Sequence, residues 1–345
     1  MHKQNSNQLY RSLLIGIMLV TFFIGFVTVA SAADVKPVVL KYASYAPPQH
    51  LGTIIAQQTF PMVEKLTEGR VKVEVYHSET LFPARETVNG LDRGVADLAF
   101  YPLNYMAGQI PWFNATLIPG LIKDFGGAHG AFQNGLKDLV QKDIHSMGLK
   151  VQIVGTPFSP GMTILMTKGK RVAVPSDLKG LKIACPAKGD MEVVKLLGGT
   201  PVAMPSTESY EAMTRGVVNG VISNIAGIWG RKMYEPGDYI TMVPLGTAMV
   251  AVLASEPGLA KLSAVDRNIV LYVAERRLLE EAFMTATAEQ SYLTRMAPRL
   301  KEIVYPTKEQ LKKWDDALAP ILNDYLKTHK DKGKQVVNII KKYND

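Results

Sequence analysis

The alternation of strand-like and helix-like segments that begins at residue 38 constrains the fold of this chain more than any other feature. Residues 38–44 read as a strand, apolar and polar residues alternate over 71–76, and 96–100 is a short, mainly apolar run. The two intervening segments, about 53–67 and 84–93, repeat apolar residues at helical spacing. Strands joined by helices in this order form parallel sheets with helices on both faces. The sequence therefore predicts an α/β fold, in which a ligand would bind beyond the carboxyl ends of the strands.

A second set of strand-like and helix-like segments occupies residues 161–247. The chain has 345 residues, which is more than one small core can hold. We therefore expect two lobes, each with its own sheet. The apolar run at 247–255 predicts a fully buried strand, and we expect it to return to the first lobe.

A long uninterrupted segment runs from Ser263 to about Ala297 without a glycine or a proline. Its apolar residues keep near-helical spacing, and Ser263 with Asp266 is typical of a capped helix start. Such a helix would be about 50 Å long at 1.5 Å per residue. It could lie across both lobes, and the alternative is two helices with a kink near 285–287.

Residues 1–32 have the pattern of a Sec-type signal peptide. Positive charges at Lys3 and Arg11 precede an apolar run at 13–29, and the small residues at 30–32 are typical of a cleavage site. The run is nearly long enough to span a bilayer, so an uncleaved membrane anchor is the alternative. Cleavage would release a mature periplasmic protein.

The sequence contains no recognised spacing of catalytic or metal-binding residues. Its six histidines are scattered, and Cys185 is the only cysteine, so no intramolecular disulfide can form. We expect Cys185 to be a small buried strand residue and not a reactive thiol. There is no paired zinc-ligand spacing, phosphate-binding glycine loop or nucleophile elbow. We therefore expect no cofactor, no metal site and no enzyme activity.

The positive charge of the chain does not indicate a nucleic-acid partner. The formal net charge is +8, but the lysines and arginines are dispersed along the sequence. They form no basic stripe interleaved with aromatic residues. A solvated basic surface explains them without a nucleic acid.

Residues 174–186 read V-P-S-D-L-K-G-L-K-I-A-C-P, which predicts a turn that leads into a short buried strand. This stretch resembles the "DLKGLKIR-x-P" signature of the solute receptors that serve TRAP (tripartite ATP-independent periplasmic) transporters. The segments 67–76, 90–100 and 197–220 resemble further motifs of that family. Their joint order and compatible spacing extend the resemblance over nearly the whole mature chain.

The resemblance implies a two-lobed periplasmic binding protein, type II-like, with a long helix that spans both lobes. We expect the first lobe to comprise 33–160 plus about 248–285, and the second lobe to comprise 161–247 plus about 286–345. The implied function is a receptor that closes on a small organic ligand and delivers it to TRAP permease membrane subunits, which use an ion gradient. The alternative is a secreted enzyme or sensor partner that reuses the receptor fold.

Ala184 is the main departure from the family pattern. Family members usually have an arginine at this place, and that arginine binds the ligand carboxylate in a bidentate way. Lys182, Lys188 and Arg85 are candidates to replace its charge. The ligand would therefore be neutral, aromatic or cationic, or a carboxylate that is held in another way.

Candidate ligand-binding residues are the polar and aromatic residues near predicted strand ends, together with the altered position of the motif. They are Tyr45, His50, Glu79, Tyr101, Tyr105, Phe158, Ala184, Glu208, Ser223, Asn224 and Trp229.

Overall fold

The structure is a computed structural model that describes residues 36–344. The predicted signal peptide at 1–32 lies outside these residues. The strands are β1 Val38–Ser44, β2 Val71–Tyr76, β3 Leu98–Pro102, β4 Val151–Phe158, β5 Ile164–Thr167, β6 Lys182–Cys185, β7 Thr200–Ala203, β8 Gly220–Ser223, β9 Tyr239–Thr241, β10 Val250–Ser255 and β11 Glu302–Val304. The α-helices are α1 Leu51–Thr59, α2 Pro61–Leu66, α3 Thr87–Asp92, α4 Phe125–Ala131, α5 Lys137–Ser146, α6 Lys188–Leu196, α7 Ser209–Thr214, α8 Ile225–Gly230, α9 Glu256–Leu259, α10 Ala264–Met296, α11 Lys308–Leu318 and α12 Pro320–Lys341.

The first sheet has the strand order β2-β1-β3-β10-β4. Strand β1 runs parallel to both β2 and β3, as the helix-joined order of the sequence predicts. The single helix predicted for 53–67 is wrong, because it divides into α1 and α2. Pro61 begins the second helix, where its missing N–H leaves no hydrogen bond unmade.

The second sheet has the strand order β11-β9-β5-β8-β6-β7. Strand β6, which contains the family-like motif, runs parallel to its neighbours β7 and β8. Strand β10 follows this lobe in the sequence but pairs antiparallel with β3 and β4 of the first sheet. The prediction that this buried strand returns to the first lobe is therefore confirmed.

Helix α10 is a continuous helix of 33 residues. The Ser263 hydroxyl caps it by accepting a hydrogen bond from the Asp266 N–H at 3.1 Å. Val270 and Ala274 pack into a core of the first lobe, whereas Leu293 and Met296 pack into a core of the second lobe. The predicted bracing helix is confirmed, and the alternative of two helices with a kink near 285–287 is wrong.

Helix α12 packs on the first lobe although it ends the chain. Tyr325, Val336 and Ile340 share a core with residues of the first sheet, and the Tyr325 hydroxyl donates to the Trp112 carbonyl at 2.7 Å. The lobe boundaries expected from the sequence stay a prediction, and these contacts favour placing α12 with the first lobe.

Candidate ligand-binding site

A small cavity of about 50 Å³ lies between the two lobes. Its walls include residues that follow the carboxyl ends of several strands: Tyr45 follows β1, Pro186 follows β6, and Ser223 ends β8. This is where an α/β fold places a ligand. The cavity is lined by Tyr45, Pro102, Asn104, Tyr105, Pro160, Thr163, Pro186, Asp190, Ser206, Ile222, Ser223, Asn224, Arg231, Ala248 and Val250. We call it the inner cavity.

Arg231 is the cation of the inner cavity, and the sequence did not single it out. It directly follows the short helix α8 and is half-buried. Its Cζ lies 5.5 Å from the centre of the Tyr45 ring, and its Nη1 makes only a long hydrogen bond of 3.5 Å to the Gly227 carbonyl. The Nε is buried without a hydrogen-bond partner, and no carboxylate of residues 36–344 forms an ion pair with the guanidinium.

Arg231 and Tyr45 also line a second, larger cavity of about 400 Å³ next to the inner one. The walls of this outer cavity include Glu79, Thr207 and Lys232. The guanidinium therefore borders both spaces.

Asp190 is the acid of the inner cavity and is only 2% exposed. It lies in the first turn of α6, where its Oδ2 accepts a hydrogen bond from the Ala187 N–H at 3.0 Å. Burial disfavours the ionised carboxylate and raises the pKa of Asp190 to about 7. No cation of the described chain forms an ion pair with it.

His50 supports the wall behind Tyr45 but does not line the inner cavity. It caps α1 by accepting a hydrogen bond from the Gly52 N–H on its Nδ1 at 3.1 Å. Burial, together with the nearby cations Arg231 and Arg277, lowers the pKa of His50 to about 3. The ring is therefore neutral and contributes shape, with Phe100 6.3 Å away between ring centres.

Several hydrogen bonds connect the lobes beside the cavity. The Thr207 hydroxyl donates to Glu79 Oε2 at 3.2 Å, and the Ser206 N–H donates to the Tyr105 hydroxyl at 3.2 Å. Glu79 is further fixed by the Ala84 N–H, which donates to its Oε1 at 2.7 Å. These bonds can form only when the lobes are together, so the structure represents a closed form.

The structure brings some of the sequence-predicted residues to the cavities. Tyr45, Tyr105, Ser223 and Asn224 line the inner cavity, and Glu79 lines the outer one. Asn224 also caps α8, because its Oδ1 accepts a hydrogen bond from the Gly227 N–H at 2.7 Å.

Other predicted residues lie away from both cavities. Tyr101 and Phe158 are 1% exposed within cores of the first lobe, and Glu208 is exposed before α7. Trp229 stacks with Tyr234 and Tyr292 in the second lobe. These residues pack in cores or lie on the surface. Their position near a strand end alone could not distinguish them from ligand-binding residues.

Ala184 also lies outside the inner cavity. It is fully buried in β6, opposite Val202 of β7 and Val221 of β8, within a core of the second lobe. The cations suggested as substitutes for an arginine there do not line the inner cavity either. Lys182 and Lys188 are exposed, and the Arg85 guanidinium donates to the Pro186 carbonyl at 3.4 Å.

The described chain offers neither a metal site nor a membrane span. Within residues 36–344, no group of histidine, cysteine, aspartate or glutamate side chains could hold a metal ion. In the same range, no helix is both long and apolar enough to cross a bilayer. Cys185 is free and buried, and burial raises the pKa of its thiol.

Comparisons with known proteins agree with this architecture. The sequence profile of the DctP family, described as "Bacterial extracellular solute-binding protein, family 7", matches residues 42–328. The chain is 23% identical over 308 residues to the sialic acid-binding periplasmic protein SiaP of Vibrio cholerae, covering 88% of this chain and 93% of SiaP. It is 22% identical over 272 residues to the 2,3-diketo-L-gulonate-binding periplasmic protein YiaO of Escherichia coli, covering 79% and 81%.

Solved structures show the same fold. The sugar acid binding protein DctPAm of Advenella mimigardefordensis, in complex with galactonate, superposes with a TM-score of 0.83 at 19% identity, covering 90% of this chain and all of that chain (100%). A TRAP periplasmic solute-binding protein of Sulfurospirillum deleyianum with bound succinate gives a TM-score of 0.81 at 19% identity, covering 89% and 99%. The predicted two-lobed fold class is therefore confirmed.

Proposed function

Because the chain belongs to the DctP family of bacterial extracellular solute-binding proteins, family 7, we propose that it is an extracytoplasmic receptor for a small organic acid. The ligand would bind in the inner cavity and then pass to the membrane subunits of a TRAP permease. The observation that carries this proposal is the half-buried Arg231 in a small cavity between two lobes, without a carboxylate partner of its own in the described chain. Hinge closure around a ligand is the mechanism that this geometry supports.

Arg231 would take the role that family members give to the arginine at the place of Ala184. An arginine in a partly desolvated cavity offers several N–H donors in a planar fork, which suits a carboxylate. The neighbouring Tyr45, Asn224 and Ser223 add polar groups that would fix the orientation of the ligand. Of the alternatives left open by the sequence, we therefore favour a ligand carboxylate, which would be held by Arg231 and not by a residue at position 184.

We also propose that the receptor does not transform its ligand. The residues that line the inner cavity include Asp190 but no histidine or cysteine. A lone carboxyl without a neighbouring nucleophile or metal does not make up a catalytic set. Residues 1–32 would be removed on export to the periplasm, and the mass of the mature protein would identify the cleavage point.

Mass spectrometry of the purified protein tests the function directly. We expect a compound that co-purifies with the native protein and is recovered unchanged after denaturation. A compound that is chemically converted during incubation would support the alternative of a secreted enzyme instead. Recovery of a ligand without an acidic group would contradict the proposed role of Arg231.

A substitution tests the anchor. Arg231→Met should weaken binding of the recovered acid by at least about 2 kcal/mol, which is ~30-fold in Kd, because truncating one partner of a buried charged pair costs that much or more. Lys232→Met is the matched control, since Lys232 is the adjacent cation and is exposed. Equal losses in the two variants would indicate general electrostatic attraction and would exclude a specific anchor.

A further inference from the structure

The inner cavity contains two ionisable side chains of opposite charge, Arg231 and Asp190, that do not pair with each other. Asp190 is 2% exposed and receives one hydrogen bond, from the backbone N–H of Ala187. The guanidinium of Arg231 makes one long bond, to a carbonyl. Both charges are therefore poorly compensated by the protein itself.

Asp190 is almost fully buried and Arg231 is half-buried with a buried Nε, so both unpaired groups are shielded from water and need a partner. Burying an ionised group without an opposite charge is costly, and proteins normally pair such groups with each other or with a ligand. Arg231 is at the border with the outer cavity, whereas Asp190 lies on the α6 side of the inner one. A single small molecule with both an acidic and a basic group would compensate both.

We propose that the ligand is a small zwitterion, which places its carboxylate at Arg231 and its protonated amine at Asp190. This inference rests on the proposed receptor function. An ammonium group donates charge-assisted hydrogen bonds to a carboxylate, which are stronger than those from a neutral hydroxyl. The high pKa of Asp190, which burial raises to about 7, agrees with a carboxyl that lacks its cation when the ligand is absent.

The size of the inner cavity restricts the ligand further. A cavity needs roughly 10–15 Å³ for each water-sized group. The volume of about 50 Å³ therefore has room for only a few such groups in the closed form. This favours an amino acid with a short carbon chain, and the neighbouring outer cavity can accept a somewhat longer one.

Asp190 also has a structural role, and the experiment must separate the two. Its carboxyl caps the first turn of α6. Asp177 has the same capping role in another turn, where its Oδ2 accepts hydrogen bonds from the N–H groups of Ala173 and Val174 at 2.9 and 3.1 Å. Asp177 does not line the inner cavity, so Asp177→Asn is a matched control for Asp190→Asn. Asparagine keeps an acceptor oxygen for the cap in both variants.

The test is isothermal titration calorimetry of the mature protein with three matched sets of short acids. The sets are glycine, glycolate and acetate; β-alanine, 3-hydroxypropanoate and propanoate; and 4-aminobutanoate, 4-hydroxybutanoate and butanoate. In at least one set, the amine should bind tenfold or more tightly than its hydroxyl and unsubstituted analogues. The Asp190→Asn variant should lose that preference, because its Kd for the amine should rise at least tenfold while its Kd for the unsubstituted acid changes by less than threefold. The Asp177→Asn variant should change neither Kd.

Two results would overturn the inference. One is a hydroxyl analogue that binds as tightly as the corresponding amine. The other is an Asp190→Asn variant whose affinity falls equally for all members of a set. If none of the nine acids binds, the co-purifying compound decides, because an acid without an amine would refute the zwitterion and an acid with an amine would support it. Failure of the proposed function has a different signature. In that case Arg231→Met would leave the binding of every acid unchanged.

Discussion

Protonation of the buried His50 should destabilise the folded protein as the pH falls. The unfolded chain binds a proton at this histidine with the ordinary pKa of 6.5, whereas the folded chain does so only at about 3. Between these values the unfolded state holds more protons, so folding stability is lost as the pH falls from about 6.5 toward 3. Above 6.5 the ring is neutral in both states and the penalty vanishes.

The magnitude follows from the difference between the two pKa values. Each pH unit below 6.5 lowers the free energy of unfolding by about 1.4 kcal/mol for one proton. At pH 5, His50 therefore lowers it by about 2 kcal/mol relative to pH 7. Other groups titrate in the same range, and therefore only a comparison with a variant isolates this histidine. His50→Asn serves, because asparagine can still accept the capping hydrogen bond from the Gly52 N–H but cannot be protonated here.

Urea unfolding at pH 7 and pH 5, monitored by circular dichroism, measures the effect. The variant should be less stable than the wild type at pH 7, because it loses ring packing against Phe100. Between pH 7 and pH 5, the free energy of unfolding of the variant should fall by about 2 kcal/mol less than that of the wild type. If the two proteins lose the same free energy within about 0.5 kcal/mol, a proton reaches His50 in the folded state without penalty, and the reasoning is refuted.

Two further substitutions test the closed form and its brace. Glu281→Gln should lower the free energy of unfolding by about 3–5 kcal/mol in urea titrations, because it removes the charge that lies 2.6 Å from the fully buried Arg277. The combined change of Arg277→Met with Glu281→Leu should cost less than the single one, and a larger cost would contradict this account. Glu79→Ala should raise the ligand dissociation rate about 2- to 10-fold in stopped-flow experiments, because it removes the bond from Thr207 across the lobes. An unchanged rate would mean that this bond does not hold the closed form.

Local sequence patterns predicted the large elements of the fold well. The uninterrupted apolar spacing of 264–296 depends only on neighbours within the same helix, so α10 could be identified directly. The apolar run of β10 predicts burial on both faces, whereas its pairing with β3 and β4 depends on contacts between residues far apart in the sequence. The division at Pro61 was missed, although proline at a helix start is a local signal that the sequence already contained.

The site was harder to predict because its residues come together only in the folded chain. Tyr45 and Asn224 were found from strand ends, since the carboxyl ends of strands meet at one edge of a sheet. Tyr101 and Phe158 satisfy the same criterion but pack inward, because residues at a strand end point alternately to opposite faces. Arg231 gave no such signal, since it follows a six-residue helix that hydrophobic periodicity does not reveal.

Under the proposed function, Arg231 would replace the arginine that the family resemblance places at Ala184. With a methyl group at this place, β6 closes against β7 and β8, and no buried cation remains in that core. The inner cavity is bordered by several elements from both lobes, and any of them can supply a charge to the same small volume. Arg231 does so from the end of α8, beside Tyr45 of the other lobe. A carboxylate bound there would contact both lobes at once, so that ligand binding and lobe closure would be stabilised by the same interaction.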